Sequence, residues 1–342
     1  MLNHVVYDVF IKGEEDAKDE RGLRGTSRFK DDLKAFTKNG LEFSYVNKLG
    51  ERKKEYDFSD EYTIIGNMVC SPRSFFTAED NWFGFLALSN DNKELVIVFR
   101  GTETTKEWVE NATMTLEQLD DEPPESGFAL FFNNKNLMVH SGFQQLYKQK
   151  SVQGIDSPKE TVHRLIAEHK GTLEKVTVIG HSLGGAMAQL CAVDIAHSKV
   201  LDKVPVLGIA WAAPRIGNQC LTDWVDEMHP TLSILRVRID DDSVTNVPPQ
   251  WLWSVFNGGY QHMGTEILLS NKNLHAEGVV KSDADGNSPN HNLEQYLHNL
   301  DPTRDVALMN KVGTVIPEKY CIEHSISPAW HSQTWPRTVY NK

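Results

Sequence analysis

Val178–Ala188 reads VIGHSLGGAMA, an apolar run that ends at a serine set between two glycines and then passes into small residues. Gly180-His181-Ser182-Leu183-Gly184 fits the pattern G-x-S-x-G, which says little by itself and gains meaning from its flanks. A serine acting as a nucleophile on such a turn needs a strand before it and a helix after it, so that the sharp bend lifts the hydroxyl out of the sheet. The glycines are needed where the backbone passes too close for a Cβ. VTVIG supplies the strand. GAMAQLCAVDIA supplies the helix, and its first residues Gly184, Gly185 and Ala186 are all small enough to pack tightly. The N-terminus of that helix aims backbone N–H groups at any oxyanion that forms beside Ser182. An ordinary strand-to-helix turn is the competing reading, and the surrounding chain decides between them.

The pattern around the turn alternates strand and helix. WFGFLALS from Trp82, the turn residues NDN and then ELVIVF read as two strands of a hairpin, the second apolar on both faces and therefore central. PKETVHRLIAEH predicts a helix over 158–169, VPVLGIAWAAP a buried strand, LTDWVDEM a helix and SILRVRI a further strand. This order predicts an α/β domain with a largely parallel sheet. The charged, weakly periodic first 60 residues read as a helical cap. Residues 102–126 read as a polar, partly helical segment, with Trp108, Val109, Ala112, Leu116 and Leu119 at near-helical spacing before an acidic Pro-Pro breaker.

A serine hydroxyl is a poor nucleophile at its ordinary pKa, so a base and an orienting carboxylate should follow in the order Ser, Asp, His. SILRVRI runs into Asp240-Asp241-Asp242, and the end of a strand is where an α/β sheet presents functional groups. Three adjacent carboxylates leave the choice open, and a solvated acidic turn accounts for at least two of them. Six histidines lie downstream: His262, His275, His291, His298, His324 and His331. His291 closes the loop DADGNSPN and opens the apparent helix NLEQYLHNL, a place from which a side chain reaches a crevice. His262 and His298 are the alternatives.

Composition narrows the partners. The chain has 342 residues, 40% of them hydrophobic, enough for one sizeable core. Asp and Glu outnumber Lys and Arg 47 to 35, with a formal net charge of −12 and no basic cluster, which excludes nucleic acid and argues against anionic membrane surfaces. No run approaches the roughly 18 apolar residues of a membrane span, and the N-terminus lacks a basic segment followed by an apolar core. The four cysteines, Cys70, Cys191, Cys220 and Cys321, form no CxxC pair and read as reduced thiols. These features predict a cytoplasmic protein, although a secreted protein trimmed of its leader would read the same. Asp283, Asp285 and Asn287 in DADGN lack the spacing of an EF-hand and read as a polar turn. No metal or cofactor is expected, and the oligomeric state is left open.

Several motifs in one order resemble the class 3 lipases, which include fungal triacylglycerol lipases and plant-type phospholipases A1. They are VIVFRGTETTKEWVEN, VHSGFQQLY, VIGHSLGGAMAQL, WAAPRIGNQ, LRVRIDDDSVTNVPP, YQHMGTEILL and HNLEQYLH, with a tail ISPAW like that of the plant-type enzymes. The likeness runs from about Trp82 onward, and the residues before it carry none of these motifs. It implies an α/β-hydrolase fold, a central, mostly parallel sheet flanked by helices, in a single domain over 1–342: an N-terminal cap or extension (1–75), a catalytic core (76–300) and a C-terminal extension (301–342). It places the nucleophile on Ser182, the carboxylate on Asp242 and the base on His291, with the N–H groups of Thr102 and Leu183 as oxyanion hole. The segment after Thr102 takes the place of the family's lid, with Trp108 and Val109 as its apolar residues; a surface helix packed permanently on the domain is the alternative. The implied activity is hydrolysis of lipid acyl esters without a cofactor, with transient contact to a lipid surface. A small-ester esterase, an acyltransferase on the same triad and a non-catalytic hydrolase-like binding protein are the alternatives.

Overall fold

The computed structural model describes residues 42–46, 52–70, 81–101, 115–119, 137–152, 154–201, 203–252 and 259–269, together with His291, Leu293 and Tyr296. Seven strands form the main sheet: β3 (Tyr62–Cys70), β4 (Asn81–Ser89), β5 (Glu94–Phe99), β8 (Lys175–His181), β9 (Val206–Trp211), β11 (Leu232–Ile239) and β13 (Thr265–Leu269). They lie in the order β13-β11-β9-β8-β5-β4-β3. The five from β13 to β5 are mutually parallel, and β4 and β3 continue the sheet antiparallel. This is the mostly parallel, helix-flanked sheet of an α/β-hydrolase.

The parallel strands are apolar on both faces because helices cover them. In β5 and β8 Leu95, Ile97, Phe99, Val176 and Val178 are all at most 0% exposed. The helix α3 (Leu183–His197) is apolar all round, as a helix lying inside a core must be. It packs on β8, β9 and β5 with one side and carries α1 (Ser141–Lys148) on the other. α2 (Pro158–His169) begins and ends where the sequence predicts. Ser157 accepts from the Glu160 N–H, Glu160 accepts in return from the Ser157 N–H, and Pro158 takes the first helical position. α4 (Gln219–Glu227), capped by Asn218, lies in the connection from β9 to β11. Among the described residues no helix is long and apolar enough to cross a membrane.

Three expectations change. The helical cap does not hold for residues 42–46 and 52–57, where β1 (Glu42–Val46) and β2 (Arg52–Asp57) pair antiparallel. A charged strand whose polar residues alternate irregularly has no clean two-residue period, and the same charges mimic a surface helix. The second change concerns the near-helical spacing at Leu116 and Leu119. The structure has β6 (Leu116–Gln118) there, paired with β7 (Met138–His140), because the partner strand arrives from beyond the breaker and supplies backbone hydrogen bonds that spacing cannot report. Lastly, β6, β7, β10 (Gly217–Asn218) and β12 (Tyr260–Gln261) make a second, antiparallel sheet of strands too short to leave a pattern. Thr102, Trp108 and Val109 lie outside the described residues, as do His275, His298, His324, His331, Asp283, Asp285, Asn287 and Cys321. Cys191 and Cys220 are free thiols.

Candidate active site

Ser182 occupies the bend between β8 and α3 with φ 59° and ψ −125°, a left-handed φ that costs a side-chain-bearing residue about 1–2 kcal/mol. The surroundings hold it there. The Ser182 N–H donates to the Trp211 carbonyl at 2.9 Å and its own carbonyl accepts from the Ala186 N–H at 3.1 Å. A Cβ on Gly180 would stand 1.9 Å from the Gly184 carbonyl oxygen, and one on Gly184 would stand 2.5 Å from the Phe99 oxygen. The glycines therefore let the elbow close on itself and press against the end of β5, the strand that leads to Thr102. Leu183, the first residue of α3, has its N–H among the helix donors that lack an intrahelical acceptor.

The three aspartates after β11 separate sharply. Asp240 and Asp241 are exposed, whereas Asp242 is 0% exposed. The Asp242 carboxylate caps the one-turn helix Ser243–Asn246 by accepting the Val244 N–H at 3.0 Å, and Thr245 donates its hydroxyl to the Asp242 carbonyl at 2.8 Å. That turn is clamped from outside. Arg215 donates from Nη1 to the carbonyls of Asn246 and Pro248 and from its backbone N–H to Val247. His262 donates from Nε2 to the Thr245 carbonyl at 2.8 Å. Burial first, then the charges of Arg236 and Arg215, push the His262 imidazole well below its ordinary pKa. His262, an alternative base by sequence, thus serves as a neutral strut beneath the turn.

His291 bridges the two. Its Nδ1 lies 2.9 and 3.0 Å from the Asp242 oxygens, and its Nε2 lies 2.8 Å from Ser182 Oγ. Donation to the carboxylate puts the proton on Nδ1 and leaves the Nε2 lone pair facing the serine hydroxyl. The ring stays in place because His181 Nε2 donates to the His291 carbonyl at 2.8 Å and its imidazole lies 4.9 Å away, centroid to centroid. Leu293 and Tyr296 pin the same segment into a cluster with Ala212, Val237, Ile239 and Leu269.

Two partners were not legible in the sequence. Tyr296 donates its hydroxyl to Asp242 Oδ2 at 2.6 Å and accepts the Ile239 N–H at 3.0 Å. Burial, and then the Asp242 carboxylate, raise its pKa, so the hydroxyl stays a donor. A tyrosine in NLEQYLHNL reads as packing, and no spacing flags it. His181 was visible only as a variable position of the serine motif.

The structure thus brings Ser182, Asp242 and His291 into one hydrogen-bonded chain and puts Leu183 beside it. Comparison with known proteins shows what the chain is similar to. Residues 96–251 match the family model for lipase (class 3). The chain is 29% identical over 260 residues to phospholipase A(1) DAD1, chloroplastic, of Arabidopsis thaliana, covering 67% of this chain and 56% of that protein. Against phospholipase A1-II 4 of Oryza sativa subsp. japonica it is 28% identical over 294 residues, 78% of this chain and 68% of the relative. Against galactolipase DONGLE, chloroplastic, of Arabidopsis thaliana it is 30% identical over 277 residues, 70% and 56%. The chain therefore spans little more than half the length of two of these relatives.

Those names also correct the expected location. Two of the relatives are designated chloroplastic, so the cytoplasmic reading does not stand. It rested on the lack of an apolar leader, and plastid transit peptides are Ser- and Arg-rich amphipathic segments without such a core. By its motif order, its elbow and the match of residues 96–251 to the lipase (class 3) model, the chain is similar to the class 3 lipases.

Proposed function

We propose that this protein is a serine hydrolase of lipid acyl esters. The observation that carries the reading is the unbroken chain from Ser182 Oγ through His291 to Asp242, with each contact between 2.8 and 3.0 Å. In this reading His291 Nε2 takes the hydroxyl proton as Ser182 Oγ attacks the ester carbonyl. Asp242 holds the imidazole in the Nδ1–H tautomer and stabilises the imidazolium that forms. The negative charge of the tetrahedral intermediate falls on the carbonyl oxygen, where the Leu183 N–H and the Thr102 N–H receive it. When the intermediate collapses, the ester bond breaks, the alcohol leaves with the proton from His291, and the acyl group remains on Ser182. Water, deprotonated by the same nitrogen, then releases the acid and restores the serine.

The relatives' names, phospholipase A1 and galactolipase, support an acyl ester of a polar glycerolipid as the substrate class. The segment from Thr102, carrying Trp108 and Val109, is the proposed lid of a single hydrolase domain. A panel of phosphatidylcholine, galactolipid, triglyceride and soluble p-nitrophenyl esters tests the reading, with Ser182→Ala as the blank. Release of fatty acid from polar glycerolipids by the parent alone is the expected result. Equal rates for parent and Ser182→Ala would refute it.

A further inference from the structure

Among the described residues two large apolar side chains are substantially exposed, Val152 at 46% and Trp251 at 73%. The second is the larger anomaly, because indole is the largest apolar side chain and the turn that displays it is firmly built. The Arg215 guanidinium spans the carbonyls of Asn246 and Pro248, and the Leu252 N–H closes back on Pro249 at 3.0 Å. Gly259 sits at φ +69° directly against Gln250, where a Cβ would come within 2.0 Å of the carbonyl oxygen.

The location has a meaning of its own. β11 runs parallel to β8 and β9, so the loop that follows it emerges at the end of the sheet where Ser182 stands. That loop carries Asp242 and continues to Trp251, and it is anchored by Arg215, which follows the same end of β9. An exposed indole thus stands on the loop that carries Asp242, which leaves the sheet at the end where Ser182 stands. We infer that Trp251 is an anchor by which this face docks on a lipid surface, an inference that rests on the acyl-ester reading above. Tryptophan suits the boundary between headgroup and acyl chain, with an apolar body and one N–H to leave in water.

Charge selects the surface. Asp240 and Asp241 are exposed on the same loop, while Arg238 faces Glu266 at 3.0 Å and Asp240 at 3.9 Å. With a net charge of −12 behind this rim, an anionic bilayer is repelled and one with uncharged or zwitterionic headgroups is accepted.

The Ser182→Ala chain, which leaves vesicles intact, is co-sedimented with phosphatidylcholine vesicles. Trp251→Ser should weaken its partitioning about tenfold, because most of an indole's apolar burial is lost. Trp251→Phe should keep most of the binding, and both variants should melt at the parent's temperature. Replacing a third of the lipid with phosphatidylglycerol should weaken binding, more so at low salt. Equal partitioning of Trp251→Ser, no binding of the parent to phosphatidylcholine, or stronger binding to anionic vesicles would each overturn the inference. So would a Trp251-dependent dimer in sedimentation velocity, since the indole would then be covered by a second copy. Soluble-ester turnover by the parent reports separately on hydrolysis: vesicle binding without turnover removes the hydrolase reading and leaves the docking face.

Discussion

The nucleophile and the base of the candidate site are held in opposite ways. Ser182 is fixed by its immediate neighbours: the strand that ends before it, a helix that begins at the next residue, and glycines that leave no room for a Cβ against the backbone of Gly184 and Phe99. His291 is fixed from afar. It meets Asp242 across 49 residues, Ser182 across 109 and His181 across 110, and its own segment is tied down by Leu293 and Tyr296. One side of the site is a property of a short sequence, and the other exists only once the sheet has assembled.

That contrast can be broken most severely at the chemistry itself. Replacing Ser182, His291 or Asp242 by Ala should each lower turnover by roughly 10⁴ or more, and the double variants should cost little beyond the singles, because residues acting as a unit are not additive. Steady-state rates on a soluble ester, with mass spectrometry to exclude contaminating parent, provide the check. Additive losses would mean that the three do not work together.

The local side is broken by Gly180→Ala. A methyl group 1.9 Å from a backbone oxygen cannot be relieved by a rotamer, so the variant should lose roughly 3 kcal/mol of stability or fail to fold. Urea denaturation measures this, and a loss below about 0.5 kcal/mol would show that the elbow is not sterically closed.

A third region, the buried His140 at the start of α1, sets a pH test. Burial lowers its pKa from 6.5 to about 4, with Nδ1 accepting the Gly142 N–H. The unfolded chain binds the proton at higher pH than the folded one, so the stabilising contribution is complete above about 6.5 and is lost as pH falls toward 4. Between pH 7 and 5 the loss should be about 2 kcal/mol. His140→Asn, which can still cap the helix, should lack that part of the slope when urea unfolding is compared at the two pH values.

The smallest expected effect sharpens the long-range side. Tyr296→Phe keeps the packing and removes the hydroxyl that donates to Asp242 Oδ2, so stability should fall by about 1 kcal/mol and kcat by about tenfold with KM unchanged. A change in KM alone would place Tyr296 in substrate binding instead.

The same division explains what the sequence revealed. The elbow, the α2 capping box and the β4–β5 hairpin are each encoded within one short stretch, and their limits could be read directly from VIGHSLGGAMA, SPKETVHRLIAEH and WFGFLALSNDNKELVIVF. The choice of Asp242 over its two neighbours depends on burial that only the folded loop creates. The bonds made by Arg215, His262 and Tyr296 are missing from a sequence reading because a side chain that binds a distant carbonyl or carboxylate leaves no period or spacing behind. β1, β2 and the small second sheet escaped for a related reason, since their strands are charged or very short and owe their form to the partner strand.

The most direct measurement is labelling with a fluorophosphonate, which captures a serine only when a base activates it. The account predicts one label per chain, located on the peptide containing Ser182, and its loss in both Ser182→Ala and His291→Ala. Label on another residue, or undiminished labelling of His291→Ala, would contradict it.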